Sequence, residues 1–339
     1  MTSIQPQLSD ITAATVIAAS RELLAPALRT AVATLPDSMS RIAGYHLGWW
    51  DPAGRPELGD TGKALRPALA LSAARAVGGD ASAAVPVAVA IELVHNFSLL
   101  HDDVMDGDGT RRHRPTAWTV FGTNAAILAG NALLTLAFNV IAHDQQAVWR
   151  LTDAVQELLD GQSADLSFER RIDVSVAECR QMAIAKTGAL LGCACELGGL
   201  AGGASSEQSA RLRGFGRRLG LAFQFVDDLL GIWGNPTLTG KPVHSDLRSR
   251  KKSLPVVAAM NSGTQAGEQL AALYGRELPL SRAELGRAAG FVELGGGRDY
   301  GQDQADALLA SAMEDLTAAA GSRGDELAAL ALMATHRER

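Results

Sequence analysis

Apolar residues recur at three- and four-residue spacing along nearly the whole chain, Ala and Leu dominate, and β-branched alternation is scarce. That period describes amphipathic helices rather than strands. It predicts helices over about 8–33, 63–78, 84–107, 117–142, 146–168, 176–200, 206–233 and 252–261, with several more to 336. The absence of strand–helix alternation argues against a doubly wound sheet, and the absence of a fixed-period repeat against a solenoid. Two stretches interrupt the pattern: "WWDPAGRPELGDTG" (49–62), rich in turn formers, and "WGNPTLTGKPVHSDLRSRKKS" (233–253), dense in Lys and Arg. Neither separates halves of different composition. The reading is one all-α domain over 1–339, with a motif-bearing core over about 60–256 and peripheral helices over about 262–339.

Charge and cysteine usage narrow the partners. A net charge of −6 and a pI near 5.7 give no bulk attraction to nucleic acid, so anionic substrates would need local basic clusters. Cys179, Cys193 and Cys195 lack CxxC spacing, which fits buried small residues in a reducing cytoplasm. The N-terminus has no basic leader before an apolar run, and no window is expected to supply the roughly 18 uncharged apolar residues of a membrane span. A chain without a signal peptide or membrane span is therefore expected.

Two acidic clusters carry the candidate chemistry. In "DDVMD", Asp102 and Asp106 lie one helical turn apart after the apolar run "AVAIELVHNFSLL", with Asp103 adjacent. One such cluster is equally well explained as a solvated acidic helix end. A second pair, Asp227 and Asp228 in "LAFQFVDDLLGIWG", follows another apolar helical run. Carboxylates at a helix C-terminus oppose the macrodipole, and a divalent cation would compensate. Cations accompany both clusters: Arg111 and Arg112 after the first; Lys241, Arg248, Arg250, Lys251 and Lys252 after the second; Lys63 and Arg66 at the start of an early helix, where three-residue spacing puts them on one face. Together these describe a phosphate site held partly through metal and partly by direct cationic contact.

At this point the motifs resemble those of the trans-polyprenyl diphosphate synthases. "GKALRP", "IELVHNFSLLHDDVMDGDGTRRHRPT", "KTGALL", "FQFVDDLLG", "TGKPVHSDL" and "KKSLP" occur in that family's order between about 60 and 256. The resemblance implies an isoprenoid-synthase-type helical bundle around a deep central cavity. It implies Mg²⁺, three ions per site with Mn²⁺ as a substitute, held by Asp102, Asp103, Asp106, Asp227 and Asp228 on the diphosphate of an allylic substrate. Arg111, Lys186, Lys241 and Lys251 would contact that diphosphate directly. Lys63, Arg66, His95 and Arg112 would hold isopentenyl diphosphate, with Thr187 and Gln224 along the developing cation. The homodimer common in the family is expected by the same resemblance.

Departures from the family pattern leave alternatives open. Gly231 and Asn235 stand where the second motif usually carries carboxylates, and Ala64 replaces a basic residue. With Mg²⁺ retaining an additional water, the expectation is weakened metal affinity with activity kept. A terpene cyclase on the same fold has no use for a second diphosphate pocket, and a non-catalytic partner subunit should have lost more of the motifs. Phe97, five residues before Asp102, is either an ordinary core residue or the floor of a short tail pocket. The floor reading points to geranylgeranyl diphosphate as product, farnesyl diphosphate next.

Overall fold

The computed structural model describes residues 12–57, 59, 62–236, 243–276 and 278–336. Its helices are α1 (Ala13–Ala33), α2 (Asp37–His46), α3 (Leu65–Ala76), α4 (Val85–Met105), α5 (Ala117–Phe121), α6 (Thr123–Val140), α7 (Gln145–Phe168), α8 (Val176–Ala183), α9 (Ala189–Ala201), α10 (Ser206–Trp233), α11 (Ser245–Arg248), α12 (Leu254–Met260), α13 (Gln265–Tyr274), α14 (Arg282–Leu294), α15 (Gly297–Ala320) and α16 (Asp325–Thr335). Among the described residues the strands are the two-residue β1 (Thr110–Arg111) and β2 (Arg114–Pro115), paired antiparallel. Several helix starts follow from local chemistry. Ser175 with Glu178, Ser205 with Gln208 and Ser281 with Glu284 form capping boxes, each satisfying two otherwise unpaired backbone N–H groups.

Two clusters of apolar side chains build most of the bundle. Phe97 and Leu100 of α4 pack with Leu133 and Leu136 of α6 and with Leu151 and Leu158 of α7. Leu69 of α3 and Phe215 of α10 pack with Leu309 and Leu316 of α15 and Leu327 and Leu330 of α16. The last two helices therefore belong to the core, which corrects the expectation that everything after about 262 is peripheral. A third cluster joins Ile232 at the end of α10 to α12, α13 and α14.

The apolar period also overran two breaks. The helix expected over 117–142 is split at Gly122, whose φ of 90° is open to glycine and strained for other residues. The one expected over 176–200 contains a π turn at Ile184–Gly188 between α8 and α9. The expectation that no segment suits a membrane also needs correction. Three helical segments, Ala81–Met105, Thr123–Val140 and Val176–Ala201, are long and apolar enough to span one by length and composition. The first and third are mostly buried by the rest of the chain, 67% and 83% of their apolar windows, whereas the second is only 33% buried.

Candidate active site

The first acidic cluster sits where α4 ends. Asp106 is the C-cap, its N–H bonding to the Asp102 carbonyl at 2.8 Å, so the two side chains stack one turn apart. Burial raises the Asp102 carboxyl to about 6; Lys186 opposes that shift while Asp106 and Asp165 add to it. Asp103, about 100° further round the helix, turns the other way. It is 1% exposed and its Oδ1 accepts a 2.6 Å bond from Arg111 Nε. Asp102 and Asp106 thus share a face, as their spacing predicts, and the adjacent Asp103 points away from it. Arg111 lies in β1, and the hairpin carrying it is pinned to α2: Tyr45 Oη donates to the Pro115 carbonyl at 2.7 Å, and Arg114 stacks on the Tyr45 ring.

The π turn supplies the next residues. Widening the helix by one residue at Ile184–Gly188 shifts Lys186 and Thr187 off the regular helical rows, a feature frequent at functional sites. Lys186 Nζ meets Asp165 Oδ2 of α7 at 2.6 Å, and its charge reaches both Asp102 and Asp106. Asp165 had no motif to mark it. Thr187 Oγ1 donates to Gln224 Oε1 at 2.8 Å, and Gln224 Nε2 donates to Asp228 Oδ1 at 2.9 Å. That relay fixes which way the Gln224 amide points.

On α10 the adjacent aspartates part in the same way as those of α4. Asp227 is exposed. Asp228 is 2% exposed and accepts from Lys251 Nζ at 3.2 Å and from the Leu254 N–H at 2.9 Å, the latter at the start of α12. Lys251 also lies 4.0 Å from Asp246. Burial alone would lower the Lys251 pKa, but Asp228, Asp246, Asp165 and Asp227 outweigh it and hold the ammonium well above the usual lysine range. Lys251 acts on Asp106 as well, so the ends of α4 and α10 converge around two lysines. Lys241 lies outside the described residues.

A second basic group adjoins the first cluster. Arg66 Nη1 is 3.1 Å from His95 Nε2. Burial, then Arg66, Arg112 and Arg111, push the His95 pKa well down, so its neutral ring accepts the arginine proton at Nε2 and carries its own on Nδ1. Arg112 and His113 are the central residues of the β1–β2 turn, both left-handed at φ 51° and 61°. Asn and Gly usually fill such a turn, and strain of this kind concentrates at functional sites. The Arg112 guanidinium lies against Gly62, where a Cβ would come within 2.6 Å of Nη2. Lys63 lies outside α3, separated from it by Ala64 at φ 50°, so the shared helical face expected for Lys63 and Arg66 does not exist. The structure also adds His46 of α2, half-buried and with its pKa lowered to about 3 by desolvation, Arg112 and Arg111.

Phe97 lies behind this array, 4% exposed, its ring edge-on to His101 with centroids 4.7 Å apart. His101 is seated on α6, Nε2 at 3.1 Å from the Ile127 carbonyl.

Known proteins are similar to this chain over most of its length. The family described as Polyprenyl synthetase matches residues 54–288. A (2E,6E)-farnesyl diphosphate synthase of Mycobacterium bovis is 48% identical over 298 residues, 86% of this chain and 83% of that protein. A geranylgeranyl diphosphate synthase of Mycobacterium tuberculosis is 44% identical over 319 residues, 92% of this chain and 91% of that one. The crystal structure of a Streptomyces coelicolor polyprenyl synthetase, 46% identical, superposes with a TM-score of 0.90 over 95% of this chain and 99% of that one. With the paired acidic clusters and their lysines in place on the same all-helical fold, the chain belongs to the polyprenyl synthetase family.

Proposed function

We propose that the chain condenses isopentenyl diphosphate with an allylic diphosphate, releasing geranylgeranyl diphosphate as its main product and farnesyl diphosphate next. The observation that supports this reading is two groups of basic side chains side by side, each suited to a diphosphate. One combines carboxylates with Lys186 and Lys251; the other combines Arg66, His95 and Arg112. A cyclase ionises a single diphosphate and leaves the second group unexplained. A silent subunit leaves both unexplained.

The donor set fits Mg²⁺. Among the described residues no three His, Cys, Asp or Glu side chains converge to make a closed cage. What they offer is one or two carboxylates at a time, the set Mg²⁺ takes when phosphate oxygens and water complete its shell. Asp102, Asp106 and Asp227 would hold it, three ions per site, with Mn²⁺ able to replace it. Asp103 and Asp228 are committed to protein partners and act as positioning residues for Arg111 and for Lys251 and α12. When bound, the metal supplies positive charge to the departing diphosphate.

The side chains account for the rest. Arg111, Lys186, Lys241 and Lys251 hold the allylic diphosphate as its carbon–oxygen bond breaks, where charge stabilisation contributes most to rate. Lys63, Arg66, His95 and Arg112 hold isopentenyl diphosphate with its double bond toward the cation. Thr187 Oγ1, its hydrogen committed to Gln224, turns lone pairs toward the developing charge. The double-bond electrons form the new carbon–carbon bond, and the released diphosphate takes the proton lost in forming the product double bond. Apolar packing around Phe97 keeps water from quenching the cation.

Two further assignments belong to this reading. A homodimer is supported by the exposed apolar side of α6, and a reducing cytoplasm by three buried, unpaired cysteines. The test is incubation of the purified chain with Mg²⁺, isopentenyl diphosphate and, separately, dimethylallyl, geranyl and farnesyl diphosphates. Geranylgeraniol or farnesol after dephosphorylation is the expected result. Cyclic hydrocarbon from an allylic diphosphate alone, or no turnover, would reject it.

A further inference from the structure

Where α2 meets the β1–β2 hairpin there is a space of about 20 Å³, walled in part by Tyr45 and His46 of α2, Asp103 of α4, and Arg111 and Arg112. About 10–15 Å³ of such volume is enough to hold one water. Two of these walls carry buried polar atoms, Asp103 Oδ2 and His46 Nε2, that have no hydrogen-bond partner among the described residues. Leaving buried polar atoms unmatched is costly, and one water between two of them serves both.

The neighbours of these two atoms are already committed. Asp103 is 1% exposed, and its Oδ1 takes the bond from Arg111 Nε at 2.6 Å. The His46 ring adjoins Asn96 of α4, but both N–H bonds of that amide are used, on the Glu92 carbonyl at 2.8 Å and on Glu92 Oε1 at 2.9 Å. Asn96 therefore has no proton left to give. Desolvation and the two arginines keep the His46 ring neutral, so one of its nitrogens is an acceptor. The position in the chain is telling as well. Tyr45 grips the β2 end of the hairpin, through the Pro115 carbonyl and the Arg114 guanidinium. The next residue along α2 shares its space with Arg111 and Arg112.

We infer that this space is a water site and that His46 is a positioning residue for both diphosphates. One water donates its two hydrogens, one to Asp103 Oδ2 and one to His46 Nε2. It thereby ties α2 to the carboxylate that aims Arg111, with Arg112 next along the turn. The inference rests on the reading above, in which Arg111 serves the allylic diphosphate and Arg112 serves isopentenyl diphosphate. A single support under their common turn then sets both sites at once. Loss of a side chain within one site weakens one substrate, whereas loss of His46 weakens both.

Steady-state kinetics and a crystal structure of the full-length protein test it. His46→Leu, which removes the polar atoms, should raise the KM of isopentenyl diphosphate and of the allylic diphosphate together. Each should rise roughly tenfold, the worth of one hydrogen bond to a charged group, with kcat little changed. His46→Gln, whose amide can still hold a water, should recover most of that loss for both substrates. A purely structural role would lower the melting temperature and the active fraction, hence kcat, and leave both KM values in place. That outcome overturns the inference, as does a rise in one KM alone or no recovery in His46→Gln. The crystal structure of the unaltered protein should show a water within hydrogen-bond distance of both Asp103 Oδ2 and His46 Nε2, and no water bonded to both overturns the inference even if neither variant folds. Failure of the underlying reading has its own signature: the unaltered chain then turns over no isopentenyl diphosphate, whereas the water is read without substrate.

Discussion

Asp103 and Asp106 look interchangeable in "DDVMD" and differ in physical situation. Removing one partner of a buried ion pair strands the other charge, at a cost of about 3–5 kcal/mol when both are buried; Arg111 is partly exposed, so the lower part of that range applies to Asp103→Ala. A clear fall in melting temperature is expected there. Asp106→Asn relieves repulsion with Asp102, so it should melt at or slightly above the unaltered temperature while losing turnover and Mg²⁺ dependence. Equal melting temperatures for the two variants would show that the pair is not divided in this way. Phe97→Ala belongs to the same scale. Opening the wall that Phe97 forms with His101 should lengthen the product, read by mass after dephosphorylation, and an unchanged product would remove Phe97 from that role. These cases also mark how far the site was legible. Helical spacing of like charges singled out Asp102 and Asp106, whereas Lys186, Thr187 and Gln224 entered only through the resemblance of their motifs to the family's. The sequence could not divide Asp103 from its neighbours, since helical spacing gives a direction and not what approaches from that side. Asp165 was invisible beside Lys186, because it matters only through a contact distant in sequence.

Among the elements, composition marked the helices well and their interruptions poorly. Ala- and Leu-rich periods persist through a π turn, since one added residue barely disturbs an apolar pattern, so Ile184–Gly188 read as ordinary helix. What holds that turn is close backbone approach from two sides. A Cβ at Gly161 of α7 would meet the Lys186 nitrogen at 2.4 Å, and one at Gly220 of α10 would meet the Gly188 Cα at 2.6 Å. Gly161→Ala should therefore press on the turn directly. Overpacking costs typically about 1–3 kcal/mol, and a shift of about 1 Å in catalytic groups can cost on the order of 100-fold in rate. The expected outcome is a modest loss of melting temperature with a much larger loss of kcat. Full activity in Gly161→Ala would mean that the π turn tolerates displacement and does not set the position of Lys186. The strained β1–β2 turn was equally hidden, because Arg112 and His113 are poor residues for left-handed backbone and sequence preference points away from them.

For the molecule as a whole, the uneven burial of its three most apolar helical segments matters most. Ala81–Met105 and Val176–Ala201 spend their apolar surface on the core around the site, whereas Thr123–Val140 does so on one side only. Leu128 on α6 remains 56% exposed, and nearby in sequence Trp149 and Leu159 on α7 remain 64% and 45% exposed. Apolar surface left in water is a cost that a second copy can remove, and aromatic anchors are favoured at the centre of such interfaces. The inner side of α6 meanwhile carries Ile127, whose carbonyl seats His101 behind Phe97. Pairing through the outer side would brace the wall of the tail pocket. Light scattering coupled to gel filtration should therefore give twice the 35.4 kDa chain mass. Leu128→Glu should shift the protein toward the single-chain mass and broaden the product distribution toward longer chains, because the helix behind Phe97 loses its outer support. A monomer that makes the same product as the unaltered protein would separate assembly from chain-length control; a Leu128→Glu protein that stays at twice the chain mass would place the interface elsewhere.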